Sequence, residues 1–442
     1  MKLIASGVAA LFGACVGCRR SPPPPAPPPI ARPEGAASAF AFPHRPAGCG
    51  YVVHPPLAGH LRVSAHDPGA PARVRHLHLT VVGDAARTLV VQWNTDPSAR
   101  ASAVRYRPRG TSAWSRAEGF SFPLPGAASV RHHEVHLCGL APALAYEYAV
   151  EGAQPAAAWH FRTAPDGPEP VTALVAGDAR THPEVWAAVA ASAAREAPDV
   201  LLFTGDAVAD GGSMALWARF FEAAEGLLAT TPGYWVDGNH EGLAAVYYDQ
   251  FALPDNGDAD HREHWYAATW GPLRVVGLND VTVRERDIAG PERDFLARAL
   301  RDVDRARTPW VFTMHHQPMH TDAEGHRPDA VTRRAWGPLL DRYRVDVDLS
   351  GHVHNYESSE PMRADGTVVA EGAGTRYFVF GGAGAPLYPF LARGPWVHHR
   401  EVTHGYALAR VDAGRMTWEA HRADGSTIES LVVPWRRPPE AP

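Results

Sequence analysis

The sequence predicts an all-β sandwich followed by an α/β domain. Between about residues 72 and 165, short apolar runs such as "TLVVQWNT" alternate with turn residues at spacings typical of a β-sandwich. From about residue 170, apolar runs alternate with longer amphipathic stretches, which is the pattern of βα units around a largely buried sheet. A chain of 442 residues is long enough to bury two such cores.

The apolar runs of the second region define six predicted strands. They cover residues 171–177, 199–205, 233–239, 273–280, 310–316 and 345–351. Helices are predicted between them over 184–195, 214–228, 291–306 and 328–342. The first helix is preceded by Thr181-His182-Pro183-Glu184, an arrangement typical of a capping box. After residue 375, further apolar runs predict strands that either close a second sheet or extend the edge of the first.

The N-terminus resembles an export signal. "MKLIASGVAALFGACVGC" has one lysine, a short apolar stretch and small residues before a cysteine. The stretch is too short to span a bilayer comfortably. It resembles a bacterial lipoprotein signal with Cys18 as the preferred lipidation site, Cys15 as the alternative, and plain secretion as the third interpretation. We therefore expect a lipid-anchored protein of the bacterial periplasm or outer membrane, or else a secreted one.

Four segments follow from these patterns. They are a lipoprotein-type signal at 1–18, a proline-rich linker at 19–50, the sandwich at 51–166 and the α/β domain at 170–435. The run "SPPPPAPPP" makes the linker a stiff spacer. Cys49 and Cys138 are the cysteines that remain beyond the signal, and in an oxidising compartment we expect them to form one disulfide.

Charge and composition narrow the choice of partners. The chain has 42 basic and 48 acidic residues and no basic block, which argues against a nucleic-acid partner. Its 24 histidines justify a search for metal sites. No feature decides the oligomeric state.

Residues that can bind metals follow five of the six predicted strands. In chain order these are Gly177-Asp178, Gly205-Asp206, Gly238-Asn239-His240-Glu241, His315-His316-Gln317-Pro318 and Gly351-His352-Val353-His354. The carboxyl ends of strands in an α/β sheet form one ligand crevice, so we expect these residues to meet at one rim. Carboxylates can bridge two cations, imidazoles suit zinc or iron, and an amide oxygen adds a weaker ligand. The set predicts a site for two metal ions.

The ordered motifs GD, GD, GNHE, H-x-P and GHxH resemble those of the calcineurin-like metallophosphoesterase superfamily and, within it, the purple acid phosphatases. The resemblance covers residues 72 to about 360 and includes "HLTVVGDAARTLVVQWNT" and "SAVRYRPRG" in the first domain. It implies a four-layer βαβ-sandwich catalytic domain preceded by a fibronectin-III-like domain. It also implies hydrolysis of small phosphate monoesters, in which a metal-bridging hydroxide attacks phosphorus in line.

The resemblance also implies roles for individual residues. The first metal would take Asp178, Asp206 and His354, and the second would take Asp206, Asn239, His316 and His352. His316 is preferred to His315 because it precedes Gln317-Pro318, although the register with His315 stays open. His240 matches the motif histidine beside the substrate. His326 matches the histidine that binds substrate and protonates the leaving group.

Two residues depart from the family pattern. Ala209 stands where the second family motif, GDxxY, has the iron-binding tyrosine, so we expect no purple colour and a metal pair of iron with zinc or manganese, or of zinc or manganese alone. Arg180 stands where the first motif usually has glycine, and it is expected either to contact substrate phosphate or to cap the following helix. A phosphodiesterase or nucleotidase is the alternative enzyme, and a non-catalytic surface lipoprotein is the alternative of another class.

Overall fold

The computed structural model describes residues 41–56, 63–67 and 71–435. The predicted signal at 1–18, with Cys18 and Cys15, and residues 19–40 of the predicted linker lie outside the described residues. In the described part of the chain, no helix is both long and apolar enough to cross a membrane.

The first domain is built from nine strands. They are β1 Ser64–Ala65, β2 Arg75–Thr80, β3 Thr88–Thr95, β4 Ala103–Pro108, β5 Ser115–Glu118, β6 Phe120–Leu124, β7 Ala127–Cys138, β8 Ala145–Val150 and β9 Trp159–Arg162. One sheet has the order β1-β6-β7-β3-β2 and the other β5-β4-β8-β9. Trp93 of the first sheet and Tyr148 of the second are fully buried in a shared core. The backbone N–H of Ala141 donates to the Tyr146 hydroxyl over 2.8 Å, as in a tyrosine corner.

Residues 41–50, which the sequence assigns to the linker, pack on this domain. The Phe42 ring lies edge-on to Phe120 with centroids 5.2 Å apart. Cys49 and Cys138 form a disulfide, and their Cα atoms are 4.8 Å apart. The disulfide therefore ties the segment before β1 to the end of β7.

The second domain contains thirteen strands and seven helices among the described residues. The first half has β10 Val171–Ala176, α1 Pro183–Arg195, β11 Val200–Phe203, α2 Met214–Leu228, β12 Gly233–Trp235, α3 Ala245–Gln250, β13 Tyr266–Trp270, β14 Leu273–Gly277, α4 Glu285–Asp287, a π-helical turn Ile288–Glu292 and α5 Arg293–Arg301. The second half has β15 Trp310–Met314, α6 Ala330–Ala335, α7 Gly337–Tyr343, β16 Val347–Ser350, β17 Tyr356–Ser359, β18 Arg376–Phe380, β19 Val397–Glu401, β20 Gly405–Val411, β21 Arg415–Arg422 and β22 Thr427–Pro434.

Two sheets form the centre of this domain. The first has the order β12-β11-β10-β20-β21-β22 and joins the sandwich through a parallel bridge between Gly233 and Thr80. The second has the order β13-β14-β15-β16-β18-β17-β19. The sheets pack face to face, and the Phe378 ring of one stacks on Trp418 of the other with centroids 3.9 Å apart.

Helices cover the outer face of each sheet. Trp186 of α1 stacks on Phe220 of α2 and packs edge-on against Phe203 of β11. On the other side, Leu296 of α5 and Leu340 of α7 share a buried cluster with strands of the second sheet. The domain is thus a four-layer α/β/β/α sandwich.

The structure corrects three sequence-based expectations. The motif-bearing strands do not belong to one sheet, because β10, β11 and β12 lie in the first sheet and β15 and β16 in the second. The predicted capping box is absent, because His182 is the residue before α1 and its side chain makes no capping hydrogen bond. The helix predicted over 328–342 is divided into α6 and α7 at Trp336.

Candidate metal centre

The six predicted metal-binding residues converge where the facing sheets present the carboxyl ends of β10, β11, β12, β15 and β16. His316 Nε2 lies 3.4 Å from Asp206 Oδ1 and 3.1 Å from Asn239 Oδ1. His354 Nε2 lies 3.4 Å from Asp178 Oδ1. Ligand atoms of Asp178, Asp206 and His316 all lie within 4.8 Å of one another, and the three residues are buried. Spacings of this size fit donors that share cations at about 2.0–2.2 Å.

The backbone leaves these strands in strained turns. Asp178, Asp206 and His352 have φ values of +58°, +55° and +64°, in the left-handed region that L-residues rarely adopt. Such strain persists where the surrounding structure over-determines it, typically at functional sites. Here the left-handed conformation turns the chain sharply after each strand, so that the side chain of that residue or of the following residue faces the centre.

Hydrogen bonds to backbone carbonyls fix the tautomers of two histidines. His316 Nδ1 lies 2.8 Å from the Thr204 carbonyl oxygen, and His354 Nδ1 lies 2.6 Å from that of Pro386. A carbonyl can only accept, so both Nδ1 atoms carry the proton and donate it. Each neutral ring therefore presents the lone pair of Nε2 to the centre, as metal-binding histidines do.

The donor set fits a cation chemically. His316 Nε2 faces a carboxylate oxygen and an amide oxygen, so three atoms that carry lone pairs point at the same space. In the metal-free chain a proton can fill this space: burial opposes the charge, but Asp206 and Asp178 raise the pKa of His316 to about 9. A divalent cation would satisfy the same donors without that proton.

His352 completes this part of the centre. Its Nδ1 lies 2.9 Å from Asn239 Oδ1, and its backbone N–H donates to Asp178 Oδ2 over 2.9 Å. Burial and the nearby His316 lower the pKa of His352 to about 3, so its ring is neutral in the physiological range. A neutral imidazole is the form that binds metals.

His315 lies on the opposite side of the chain from the centre. It is fully buried between Asp280, 2.8 Å from Nδ1, and Asp348, 3.1 Å from Nε2. Burial opposes its charge, but Asp348 and Asp280 raise its pKa well above the usual value. Both ring nitrogens are engaged away from the metal-binding atoms, so the alternative register with His315 as a ligand does not match this geometry.

Glu241 is a functional candidate that the motif reading did not assign. Its buried carboxylate accepts three backbone N–H groups, from Gly238 at 2.7 Å, Asp206 at 2.9 Å and Val208 at 3.1 Å. Burial and the nearby Asp206 raise its pKa to about 8. The residue ties the turn after β11 to the turn after β12. Glu241 is the last residue of the GNHE motif, but two of its three partners, Asp206 and Val208, lie on a separate loop.

Arg180 points into the centre. Its Nε donates to Asp206 Oδ2 over 3.2 Å, and its Nη2 lies 3.2 Å from His354 Nε2. These contacts are with residues of the centre, so the side chain does not serve as a cap of α1. Ala209, nearby, offers its carbonyl oxygen to His240 Nδ1 at 3.0 Å, and its methyl side chain carries no donor atom.

His240 and His326 stand at the rim. His240 is partly exposed, and its Nε2 lies 3.9 Å from Asp206 Oδ2. The His326 ring stacks on Tyr388 with centroids 4.3 Å apart and lies edge-on to His352 at 5.3 Å. Both predicted substrate-side histidines are therefore next to the predicted ligands.

Comparison with known proteins agrees with this geometry. Residues 160–356 match the family model of calcineurin-like phosphoesterases, and residues 74–163 match that of the purple acid phosphatase N-terminal domain. Purple acid phosphatase 21 of Arabidopsis thaliana is 28% identical over 238 residues, which are 50% of this chain and 53% of that protein. The chain thus spans about half the length of this curated relative.

Two further matches are informative. Nucleotide pyrophosphatase/phosphodiesterase of Hordeum vulgare is 27% identical over 266 residues, 53% of this chain and 71% of that protein. The solved structure of purple acid phosphatase PPD1 from yellow lupin superposes with a TM-score of 0.70 at 18% identity, covering 82% of this chain and 74% of that one. At that identity the superposition shows a shared fold.

Proposed function

Because this chain is a purple acid phosphatase-like member of the calcineurin-like metallophosphoesterase superfamily, we propose that it is a metal-dependent hydrolase of small phosphate monoesters. The observation that carries the proposal is the convergence of carboxylate, amide and imidazole donors on one point, with His316 Nε2 3.4 Å from Asp206 and 3.1 Å from Asn239.

Two cations would occupy the centre. Asp178, Asp206 and His354 would hold the first, and Asp206, Asn239, His316 and His352 the second. When bound, such ions neutralise charge on phosphoryl oxygens and lower the pKa of water. We propose iron with zinc or manganese, because the donors are a mixture of imidazole and carboxylate.

The rim histidines would handle the substrate. The His240 Nδ1–H donates to the Ala209 carbonyl, which leaves Nε2 on the side of Asp206, where the Nε2–H of the protonated ring would donate to a phosphoryl oxygen. His326 Nδ1 lies 3.2 Å from the Glu324 carbonyl, so Nδ1 donates there and Nε2 is the atom left to face substrate. We assign Nε2 of His326 the proton that passes to the departing oxygen.

The proposal is tested by hydrolysis of p-nitrophenyl phosphate. We expect activity that a chelator abolishes and that added Zn²⁺, Mn²⁺ or iron restores. Asp206→Asn should lower kcat/KM by at least about 100-fold, because one oxygen of the shared carboxylate becomes a neutral donor group. Asp424→Asn, on the surface, is the matched control. Undiminished activity of Asp206→Asn would refute the assignment.

A second candidate is phosphodiester hydrolysis. It is favoured by the resemblance to the barley protein, which is named a nucleotide pyrophosphatase/phosphodiesterase. Comparing kcat/KM for p-nitrophenyl phosphate and bis(p-nitrophenyl) phosphate separates the two. A ratio in favour of the monoester supports the first proposal, and the reverse ratio supports the second.

We further propose export with a lipid anchor on Cys18, on the basis of the N-terminal sequence pattern alone. Expression of the full chain in a bacterial host should place it in the membrane fraction, and Cys18→Ser should release it. A Cys15→Ser variant distinguishes the two candidate cysteines. Soluble wild-type protein that carries no acyl group would refute the anchor.

A further inference from the structure

The two halves of the metal centre differ in what surrounds them. Asp206 presents Oδ1 to His316 at 3.4 Å and Oδ2 to the Arg180 Nε at 3.2 Å. The carboxylate that would bridge two cations is therefore shared between the second metal position and a guanidinium group. That group stands on the side of the first position.

The guanidinium engages two of the three predicted ligands of the first metal. Besides Asp206, its Nη2 lies 3.2 Å from His354 Nε2. His354 Nδ1 donates to the Pro386 carbonyl, so Nε2 has the lone pair and accepts from Arg180. The arginine thus uses the same lone pairs that a cation at the first position would need.

The backbone holds Arg180 in this place. Its N–H donates to the Asp206 carbonyl over 3.3 Å, and its own carbonyl accepts from the His182 N–H over 3.2 Å across Thr181, which has φ = +83°. The side chain is directed back over the end of β11 and is 14% exposed. Because this side chain is partly exposed, we expect that rotation about its bonds can move the guanidinium out of the first metal position.

Arg180 and a cation at the first position cannot be bound at the same time in this arrangement, because both are positively charged and use the same atoms of Asp206 and His354. A guanidinium stays protonated throughout the accessible pH range and cannot vacate the site by losing a proton. Its charge also offsets one of the two carboxylates, Asp178 and Asp206, that would attract a cation. At the second position, Asn239 Oδ1 lies beside His316 Nε2 and His352 Nδ1, and His316 Nε2 also lies 3.4 Å from the other oxygen of Asp206.

We infer that Arg180 is a built-in counter-ion of the first metal position, so that a divalent cation fills the second position first and enters the first only after Arg180 has swung out. This inference rests on the metal centre of the proposed function. It makes the protein a one-metal form at low metal concentration and a two-metal form at high concentration. The fraction of protein with two metal ions is then limited by Arg180 in the first position, although all the ligands are present.

The test is metal binding by the full-length chain without substrate. Metal-free protein is dialysed against buffered free Zn²⁺ or Mn²⁺, and bound metal per chain is measured by elemental analysis. The wild type should show two steps. Arg180→Ala and Arg180→Gln should shift the weaker step to at least about tenfold lower free metal. Arg219→Ala, an exposed arginine of α2, should match the wild type.

Thermal unfolding provides a second readout and checks that the variants fold. The metal-free Arg180 variants should unfold at lower temperature than the wild type, because the Asp206 carboxylate loses its counter-ion, and they should gain more from saturating metal. Two equal binding steps in the wild type, or an unchanged weak step in both Arg180 variants, would overturn the inference. Absence of any metal binding would overturn the metal centre and with it the proposed function. Unequal filling without phosphatase activity would support the inference and refute the proposed function.

Discussion

Single hydrogen bonds to backbone carbonyls determine which ring nitrogen of His316 and of His354 is left to bind a metal. The carbonyls of Thr204 and Pro386 hold the Nδ1–H groups of His316 and His354, which leaves Nε2 of both rings for the centre. The carboxylate of Asp280 accepts from the backbone N–H groups of His316 and Gln317 over 3.2 and 2.8 Å. The geometry is thus set by residues that do not themselves face the metal positions.

Glu241 is expected to act as a positioning residue. The two oxygens of Glu241 together accept three backbone N–H groups. In Glu241→Gln an NH₂ group replaces one of these oxygens, so that two hydrogen-bond donors would face each other. We expect Zn²⁺ affinity to fall about 10- to 100-fold while the fold is retained. Competition with a chromophoric chelator measures this. Glu222→Gln, exposed on α2, is the control, and an unchanged affinity would contradict the role.

His326 is expected to matter most for poor leaving groups. In His326→Gln, kcat/KM for an alkyl phosphate should fall about 100-fold or more, because an alkoxide needs a proton. The loss on p-nitrophenyl phosphate, whose leaving group is stable as an anion, should be much smaller. His160→Gln on β9 serves as the control. Equal losses on both substrates would exclude proton donation by His326.

For single residues, the motif order predicted six candidate metal ligands at the ends of apolar runs, and the structure brings these side chains to one place. The motif order could not decide between His315 and His316, since that depends on the direction in which the chain leaves β15. It also could not give the contacts of Glu241 and Arg180, because they involve residues of other loops. The family resemblance marked Arg180 as a departure from the usual glycine, but it did not predict the contacts of Arg180 with Asp206 and His354.

At the scale of elements, the centre depends on how tightly the strand ends approach. A Cβ added to Gly238 would lie 2.1 Å from Asp206 Oδ1, and one added to Gly205 would lie 2.7 Å from His316 Nδ1. Gly205 also has φ = +94°. Side chains at these positions would push donors of the centre apart.

Gly238→Ala is expected to weaken metal binding and to destabilise the chain by about 1–3 kcal/mol through this overlap. Gly226→Ala is the matched control, because Gly226 lies in α2 with no heavy atom within 4 Å of an added Cβ. It should stabilise the chain by about 0.5–1 kcal/mol, since alanine favours helix. Thermal unfolding and a Zn²⁺ titration measure both effects. Tight metal binding by Gly238→Ala would contradict the packing argument.

Element positions were predictable where local pattern and tertiary context agree. The predicted helix at 214–228 coincides with α2, and the predicted strand at 171–177 nearly coincides with β10. The apolar runs alone did not predict which strands belong to which sheet, because runs buried on both faces look alike in either sheet. The two facing sheets of a four-layer sandwich were implied by the family resemblance. Trp336 divides the last predicted helix, and its ring nitrogen donates to the Ile288 carbonyl over 3.3 Å.

At the scale of the whole molecule, buried hydrogen bonds cross the seam between the sandwich and the α/β domain, beside a hydrophobic core that both domains share. His78 Nε2 lies 2.7 Å from the Gln250 carbonyl, and the Tyr148 hydroxyl donates to the Ala229 carbonyl over 2.7 Å. Buried histidines are concentrated on the sandwich side of this seam. Two of them, His132 and His133 of β7, are fully buried.

These histidines should make the protein sensitive to acid. Burial lowers the pKa of His76 to about 4 and that of His133 to about 3, against about 6.5 in the unfolded chain. Below pH 6.5 the unfolded state therefore binds protons that the folded state rejects. The contribution of these two histidines to stability should be complete above pH 6.5 and should decline below it, down to about pH 4 for His76 and about pH 3 for His133. Each unit by which the folded-state pKa lies below the unfolded one corresponds to about 1.4 kcal/mol in the free energy of unfolding.

Circular dichroism melts between pH 7.5 and 4.5 measure this effect. The informative quantity is the difference in slope between the wild type and His76→Asn, because Glu241 and His316 have raised pKa values and contribute to the slope with the opposite sign. In the metal-free protein, lowering the pH should reduce the melting temperature of the wild type more, or raise it less, than that of His76→Asn, whatever the absolute stability of the variant. Equal slopes for the two proteins would contradict the burial argument.

We propose that side chains from two facing sheets hold cations between them. Anomalous diffraction from a crystal grown with Mn²⁺ or Zn²⁺ tests it most directly. We predict a peak coordinated by Asp206, Asn239, His316 and His352 at about 2.0–2.3 Å from their donor atoms. A well-ordered site with the same side chains and no anomalous peak among them, at saturating metal, would contradict the account.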